Sequence, residues 1–270
     1  MKCLILAAGY ATRLYPLTKD RPKPLLEVAG KPIMDWIMEK VDPLREVDEV
    51  FVITNDKFLG HFQAWASVSE YDTPIRVVSD GTGSEEIRLG AIGDIAFAIE
   101  HLNIHDDLMI IAGDNLFEFD LPLLVERFNK NRSHVIAARN LDDRELAKRF
   151  GILTVDADGK VTDFEEKPEH PKSTLASTLT YIFPREKLHL VSWFLTHNDS
   201  KDRAGDYLAW LHKVERLEAL VFDEQWFDIG SFDQLKEANQ FYRQNMGSLL
   251  PKDQQEAGIM QANRKAQLDP

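Results

Sequence analysis

A loop of small residues near the start of the chain has the residue types that bind phosphate. It follows an apolar run, Leu4 to Leu6, that predicts a short buried strand. The loop reads Ala7-Ala8-Gly9-Tyr10-Ala11-Thr12-Arg13. Small residues let a backbone approach a ligand closely, with its amides free to point at phosphate oxygens. Arg13 and Lys23 add positive charge for a polyanion.

Gly9 alone does not establish phosphate binding, because many loops with one glycine only turn the chain. Two common nucleotide-binding loops are excluded by spacing. Ala11 and Leu14 stand where the second and third glycines of a G-x-G-x-x-G pattern would fall. The chain also lacks a G-x-x-x-x-G-K-S/T pattern.

Asp114 follows Gly113 at the end of an apolar segment over residues 108–112. Ligands of an open parallel sheet bind beyond the carboxyl ends of its strands, so we expect Asp114 in the same crevice as the Gly9 loop. The alternative is a solvated aspartate that caps a loop, because Gly-Asp is ordinary turn chemistry at the end of a strand.

A second acid lies between large apolar residues, in Trp226-Phe227-Asp228-Ile229-Gly230-Ser231. Carboxylates are rarely buried alone, so Asp228 needs an arginine, a helix N-terminus or a metal as its partner. It could instead cap the helix that begins near Phe232, although Ser231 is better placed for that. Asp114 and Asp228 together could bind Mg²⁺, which takes one or two carboxylates plus substrate phosphate oxygens.

The segment from Leu6 to Leu26 resembles the L-A-A/G-G-x-G-T-R-L and P-K-P/Q-L run of the sugar-1-phosphate nucleotidyltransferases, or nucleotide-sugar pyrophosphorylases. Asp114 matches their L-G-D-N pattern, and Asp228 matches their W-x-D-x-G pattern. Phe164-Glu165-Glu166-Lys167-Pro168 matches their E-E-K-P pattern, which by itself would indicate only a solvated turn. The four motifs stand in the family's order between Met1 and about Asn239. They are similar to those of glucose-1-phosphate thymidylyltransferases and uridylyltransferases.

The resemblance implies an enzyme that uses Mg²⁺ to join a nucleoside triphosphate and a sugar 1-phosphate, releasing pyrophosphate. By this resemblance the catalytic residues are Arg13, Lys23, Asp114 and Asp228, and the two acids hold the metal. The implied nucleotide-binding residues are Ala8, Gly9, Ala11, Thr12, Arg13, Lys23, Gly81, Thr82, Gly90 and Asp114. The implied acceptor-binding residues are Gly151, Glu166, Lys167, Tyr181, Arg203 and Trp226.

Three departures from the family pattern affect these expectations. Ala11 replaces the second glycine of the loop, and its methyl restricts the backbone if that position needs a positive φ. The glycine before the sugar-pocket tyrosine is replaced by Leu179 or Thr180, and a larger side chain would narrow or reshape the pocket. The base-binding stretch, 80–90, is longer than the common form, so the base that it selects is open.

Apolar segments alternate with helical patterns, which predicts an α/β fold with a Rossmann-like, mostly parallel central sheet flanked by helices. The predicted strands are 4–6, 50–54, 75–79, 108–112 and 135–138, and the predicted helices are 33–44, 58–68, 90–101, 121–128 and 232–242. Two further segments, 151–155 and 160–164, flank an Asp-Gly turn and predict a β-hairpin. We expect this hairpin to stand beside the sheet in a smaller acceptor-binding lobe.

We therefore expect one catalytic domain over 1–245, with a nucleotide-binding half at about 1–140 and an acceptor-binding half at about 141–230. Residues 246–270 are predicted to be a mobile polar tail. A chain of 270 residues with 44% hydrophobic content can bury one large core. Its net charge of −13 argues against nucleic acid or an anionic membrane as a partner.

Cys3 is the only cysteine, so no disulfide can form within the chain and a reducing compartment is expected. With no leader pattern and no run of eighteen apolar residues, we expect a cytoplasmic protein. A homo-oligomer is left open.

Alternative functions remain beside the nucleotidyltransferase. A dinucleotide-dependent oxidoreductase is disfavoured by the missing glycine fingerprint. A catalytically silent relative that binds nucleotide sugars has no chemical need for all four of Arg13, Lys23, Asp114 and Asp228. The altered pocket around Leu179 leaves open a non-sugar phosphate or phosphonate as the acceptor.

Overall fold

The computed structural model describes residues 1–198 and 203–249, the last four by their backbone only. The strands are β1 (Lys2–Leu6), β2 (Glu27–Val28), β3 (Lys31–Pro32), β4 (Glu49–Thr54), β5 (Ile75–Ser79), β6 (Leu108–Ala112), β7 (Asn115–Phe117), β8 (His134–Asn140), β9 (Gly151–Val155), β10 (Val161–Glu166), β11 (Leu175–Phe183), β12 (Leu217–Phe222) and β13 (Trp226–Asp228). The helices are α1 (Ile33–Val41), α2 (Leu59–Val68), α3 (Gly90–His101), α4 (Leu121–Asn131), α5 (Arg144–Ala147), α6 (His189–His197), α7 (Ala204–Val214) and α8 (Phe232–Leu249).

A nine-stranded sheet forms the centre of the protein. Strands β5, β4, β1 and β6 are parallel neighbours, and β12 pairs in parallel with β8. The long strand β11 joins the two groups by antiparallel pairing with β6 and β8. The predicted α/β fold with a large central sheet and flanking helices is confirmed.

Both faces of the sheet are covered, which explains why its central strands are apolar throughout. Cys3 and Ile5 of β1 face a core that includes residues of α1, α4 and α8. Leu4, between them, faces the opposite core with residues of α3, α6 and α7. Side chains of a strand alternate between faces, so β1 contributes to both cores at once.

The predicted hairpin forms, but it is continuous with the sheet. Strand β9 pairs with β10 and also, through Leu153 and Ile152, with Leu175 and Ala176 of β11. The predicted acceptor-binding half therefore shares the central sheet with the predicted nucleotide-binding half instead of standing beside it.

Several predicted helix ends differ from the structure for local reasons. Helix α1 ends at Val41, before the predicted residue 44, because Pro43 lacks the amide that another helical turn needs. Helix α4 continues beyond residue 128 until Arg132, whose left-handed backbone ends it. Helix α8 continues to Leu249, so the first four residues of the predicted tail are helical. The rest of that tail, 250–270, lies outside the described residues.

Strands β2, β3, β7 and β11 to β13 and helices α5 to α7 were not predicted from the sequence. Among the described residues, no helix is both long enough and apolar enough to cross a bilayer.

Candidate active site

The loop after β1 has the left-handed turn that its sequence left in question. Ala11 has a φ of 49°, and a 3-10 turn over Thr12–Leu14 follows it. An L-residue in this region costs about 1–2 kcal/mol relative to its ordinary conformation. The hydroxyl of Thr18 donates to the Ala11 carbonyl over 2.7 Å, and Asn55 Nδ2 donates to the Ala8 carbonyl over 2.8 Å. These bonds hold the loop despite the alanine.

A cavity of about 350 Å³ opens above this loop, and we call it the nucleotide cavity. Seven of the predicted nucleotide-binding residues line it: Ala8, Gly9, Ala11, Thr12, Arg13, Gly90 and Asp114. Residues that the sequence analysis did not assign to it include Tyr10, Glu85, Arg88, Ala91 and Asp94. Glu85 begins a 3-10 turn over Glu85–Ile87, Arg88 follows that turn, and the two side chains form an ion pair of 3.3 Å.

Two predicted nucleotide-binding residues, Gly81 and Thr82, are not among the described residues that line this cavity. The amide and the hydroxyl of Thr82 both donate to the carboxylate of Asp80, over 2.7 and 2.8 Å. The Thr82 carbonyl accepts a hydrogen bond from the hydroxyl of Tyr10, at 3.1 Å. Thr82 is thus a buried part of the turn that supports Tyr10, and it is Tyr10 that reaches the cavity.

Backbone pairing brings the two predicted metal ligands together. In the antiparallel pair β7 and β13, Asp228 stands opposite Asn115, the neighbour of Asp114. The Ile229 amide donates to the Asp114 carbonyl over 3.3 Å. Strand pairing places opposite Cα atoms about 4.5–5.5 Å apart, so both acids lie at one end of this small sheet.

Gly113 sets the position of Asp114 against the Gly9 loop. Its amide donates to the Leu6 carbonyl over 2.8 Å, and a Cβ on Gly113 would lie 2.9 Å from the same oxygen. Only glycine allows this close approach between the ends of β6 and β1. The expectation that Asp114 shares a crevice with the Gly9 loop agrees with this geometry.

Lys23 connects the segments that carry the two acids. Its ammonium group forms an ion pair with Asp114 and donates to the Ile229 carbonyl over 2.7 Å. Lys23 does not line the nucleotide cavity itself among the described residues, but it contacts Asp114, which does. Its charge therefore lies at the end of the site that carries Asp114 and Asp228.

Asp228 is a carboxylate in an unfavourable environment. Burial, followed by the negative charge of Asp114, raises its pKa to about 6, while Lys23, Lys167 and Arg13 act in the opposite direction. Two neighbouring carboxylates, one of them largely desolvated, favour a divalent cation between them. The described residues contain no group of three or more His, Cys, Asp or Glu placed to hold a metal. A cation here would need oxygens of substrate or water as its other ligands.

A second cavity, of about 290 Å³, adjoins the first, and we call it the acceptor cavity. All six predicted acceptor-binding residues line it: Gly151, Glu166, Lys167, Tyr181, Arg203 and Trp226. Asp114 and Asp228 also line it. Ala91, Ala112, Asp114 and Leu179 line both cavities, so the two open into each other beside Asp114.

Glu166 reaches into the acceptor cavity over two glycines. A Cβ on Gly151 would lie 3.0 Å from its Oε2 atom, and a Cβ on Gly205 would lie 1.8 Å from the same atom. Burial raises the pKa of Glu166, and the positive charge of Lys167 opposes this. The Lys167 amide donates to the Phe150 carbonyl over 3.0 Å, which ties the Glu-Lys pair to the Phe150-Gly151 segment.

Two aromatic residues form the walls of the acceptor cavity in different ways. The Tyr181 hydroxyl shares a 3.0 Å hydrogen bond with the hydroxyl of Ser177, so it is already engaged. The Trp226 ring meets Phe150 edge to face at 5.0 Å. Its buried Nε1 atom has no hydrogen-bond partner among the described residues. Because this atom has almost no accessible surface, only a shift of the ring would turn it toward a ligand oxygen in the cavity.

Arg203 and Gly205 come from the start of α7, where Arg203 precedes the first helical residue and pairs with Asp206 over 3.1 Å. Arg203 was predicted, whereas Gly205 and Arg149, which also lines the acceptor cavity, were not. No motif marks Gly205 in the sequence, because its role depends on contact with Glu166 from a distant strand.

A family model described as "Nucleotidyl transferase" matches residues 2–245. The Bifunctional protein GlmU of Methanocaldococcus jannaschii is 29% identical over 244 residues, which are 89% of this chain and 54% of that protein. The glucose-1-phosphate adenylyltransferase of Bacillus subtilis is 29% identical over 87% of this chain and 65% of its own length. UTP–glucose-1-phosphate uridylyltransferase AglF of Haloferax volcanii is 28% identical over 89% of this chain and 96% of its own length.

The chain thus spans about half the length of the GlmU relatives that it matches. Two solved structures share its fold. Apo UDP-glucose pyrophosphorylase superposes with a TM-score of 0.78 at 20% identity, covering 91% of this chain and 98% of that one. UDP-glucose pyrophosphorylase from Acinetobacter baumanii gives 0.73 at 19% identity, covering 97% and 98%. Because the family model spans most of its length, the chain belongs to the nucleotidyl transferase family.

Proposed function

We propose that the protein is a magnesium-dependent nucleotidyltransferase that joins a nucleoside triphosphate to a sugar 1-phosphate and releases pyrophosphate. The observation that carries this proposal is the pair of adjoining cavities that share Asp114, with Asp228 in the second. One cavity contains the phosphate loop and the other contains the Glu-Lys pair, as a reaction between two phosphate-bearing substrates requires. The names of the relatives in Bacillus subtilis and Haloferax volcanii support a sugar 1-phosphate as the acceptor.

The chemistry needs positioning and charge neutralisation more than proton transfer. A phosphate oxygen of the acceptor, already anionic at neutral pH, attacks the α-phosphorus of the triphosphate. The bond from that phosphorus to the bridging oxygen breaks, and pyrophosphate leaves with the bonding electrons. Holding both reactants in line across the cavity junction supplies much of the rate. No side chain has to act as a general base.

The cations around the junction have separate tasks. Lys167 binds the acceptor phosphate and reduces its repulsion from the triphosphate. Arg13, on the phosphate loop, stabilises the departing pyrophosphate. Lys23, predicted to hold the α-phosphate, does not line the nucleotide cavity among the described residues, so its task is to orient Asp114 through their ion pair. Asp114 and Asp228 would hold Mg²⁺, which when bound neutralises phosphate charge between the two substrates.

The acceptor cavity suits a hydroxylated ligand. Glu166 offers a carboxylate to sugar hydroxyls, and Trp226 carries an unpaired N–H donor that a shift of its ring would turn toward the ligand. A site built to hydrogen-bond hydroxyls rejects ligands that lack them, because its buried polar groups would stay unpaired. This favours a sugar over a simple phosphate or phosphonate as the acceptor.

The proposal is tested by incubating the purified protein with Mg²⁺, each of five nucleoside triphosphates and a panel of sugar 1-phosphates, and measuring pyrophosphate release. We expect release that depends on both substrates and stops with a chelator. Pyrophosphate release with phosphonates or non-sugar phosphates, and not with sugar 1-phosphates, would mean that the acceptor is not a sugar 1-phosphate. Binding of a nucleotide sugar without any release would instead identify a catalytically silent relative.

A further inference from the structure

Leu179 has a backbone conformation that is unusual for a residue with a side chain. Its φ is 55°, in the left-handed region that glycine adopts freely. The residue lies inside β11, where the register of pairing with β8 shifts between Ser177 and Tyr181. Strained backbone of this kind clusters at functional sites, where the surrounding structure enforces it.

The neighbouring residue Thr178 enforces this conformation. Its carbonyl accepts a hydrogen bond from Asn115 Nδ2, at 2.6 Å. Its hydroxyl donates to the Ala137 carbonyl over 3.0 Å. Thr178 is therefore fixed from the segment next to Asp114 and from β8, immediately before the left-handed turn at Leu179.

The turn occurs where β11 changes partners along one edge. On this edge β11 pairs with β9 through Leu175 and Ala176, and with β6 from Thr180 onward. The three residues between, 177–179, pair with neither strand and line the acceptor cavity. Leu179 alone of the three also lines the nucleotide cavity. Its half-buried side chain thus stands where the two cavities meet.

We infer that Leu179 is a specificity-determining residue, whose side chain narrows the junction and selects acceptors without a bulky substituent on the ring. The inference rests on the proposed function. Three of the four residues shared by the cavities, Ala91, Ala112 and Leu179, are apolar, and Leu179 is by far the largest of them. Its isobutyl group cannot bind a phosphate or a hydroxyl, so its effect on the acceptor is steric.

Two variants separate the side chain from the backbone. Leu179→Ala removes most of the side chain and keeps the strain at this φ, whereas Leu179→Gly removes the side chain and also relieves the strain. In an unstrained strand glycine is less stable than alanine, so a higher melting temperature for Leu179→Gly than for Leu179→Ala confirms the strain. Ala29, in the turn between β2 and β3, has a φ of 54° and lines neither cavity. Ala29→Gly is therefore the control for strain relief away from the site.

Selectivity is measured as a ratio of kcat/KM values. The two acceptors are the hexose 1-phosphate that gives the fastest pyrophosphate release and the same sugar with an acetamido group in place of its 2-hydroxyl. The ratio is the kcat/KM for the acetamido sugar divided by the kcat/KM for the unsubstituted sugar. Both Leu179 variants should raise this ratio by at least about tenfold, the effect expected when a few methyl-sized groups are removed from a pocket wall. Ala29→Gly should leave the ratio within about twofold of the parent.

If both Leu179 variants still catalyse transfer but leave the ratio of kcat/KM values unchanged, the inference is wrong and the proposed function stands. Absence of transfer by the parent protein with every acceptor would instead refute the proposed function.

Discussion

The carboxylate of Glu166 lies directly over the Cα atom of Gly205, at the start of α7. A Cβ on Gly205 would approach its Oε2 atom to 1.8 Å and its carboxyl carbon to 2.7 Å. Atoms cannot be this close, so any larger residue at position 205 must displace Glu166. Gly205 is thus a positioning residue for the acceptor cavity.

Gly205→Ala should raise the KM for the acceptor by about ten- to a hundredfold and leave the KM for the triphosphate unchanged, because a hydrogen bond to a charged group is worth about 1.5–3 kcal/mol. Steady-state kinetics with each substrate varied in turn would measure both values. Gly60→Ala, in α2, is the control, since a Cβ there meets nothing within 4 Å. An unchanged acceptor KM in Gly205→Ala would show that Glu166 does not bind the acceptor from this position.

Trp226→Phe should weaken acceptor binding by about three- to tenfold, because it removes one unpaired N–H donor and keeps an aromatic ring against Phe150. The acceptor KM and the melting temperature would be compared with those of Trp36→Phe. The Trp36 Nε1 atom donates to the Val28 carbonyl over 2.9 Å, so that control should lose stability and keep its KM. Equal acceptor KM values in Trp226→Phe and Trp36→Phe would show that the Trp226 N–H does not bind the acceptor.

Lys167→Gln should raise the acceptor KM by at least about tenfold, because it removes the charge that offsets repulsion between the two phosphates. Lys172→Gln is the matched control on the same segment. Lys172 pairs with Asp163 and Glu165 and lines neither cavity among the described residues. If Lys167→Gln and Lys172→Gln change the acceptor KM equally, Lys167 acts only through the net charge of the protein.

Asp228→Asn should stabilise the protein in the presence of a chelator. The pKa of Asp228 is raised to about 6 in the folded chain, above the value of about 3.9 expected when unfolded. Between these values the folded state binds the extra proton, so the contribution of Asp228 to stability falls as the pH rises from about 4 to 6. Above pH 6 its ionised form is destabilising.

Thermal unfolding across this range would test the sign. Asp228→Asn should melt a few degrees higher than the parent at pH 7 and at the same temperature below about pH 4. Asp72→Asn, which alters an exposed acid, is the control for the loss of one negative charge. A lower melting temperature for Asp228→Asn at pH 7 would mean that its carboxylate is already well neutralised without a metal.

Local patterns in the sequence predicted many of the residues that line the two cavities, and contacts between distant segments account for the others. The phosphate loop, Asp114 and the Glu-Lys pair each follow directly from a short run of residues. Gly81 and Thr82 were assigned to the nucleotide cavity because a Gly-Thr pair resembled the family pattern. The structure uses Thr82 to close a turn with Asp80, and Tyr10 takes its place at the cavity.

The fold was predictable where strands were short, apolar and followed by amphipathic helices. Strand β11 was missed because Ser177, Thr178 and Thr180 stand among its apolar residues, so no apolar run marks the segment. Strands β7 and β13 have only three residues each and are defined by pairing with each other across more than a hundred residues of chain. No local signal could predict that this pairing brings Asp228 beside Asp114.

Pyrophosphate release by Asp114→Asn and Asp228→Asn, with Mg²⁺ and both substrates at saturation, tests the central claim most directly. Each variant should lose at least about a hundredfold in kcat, since each removes a carboxylate from the cation that neutralises the reacting phosphates. The folded state of each variant would be verified by thermal unfolding, with Asp72→Asn as the control of unchanged activity. Near-parental turnover in either variant would contradict the two-carboxylate site on which the account depends.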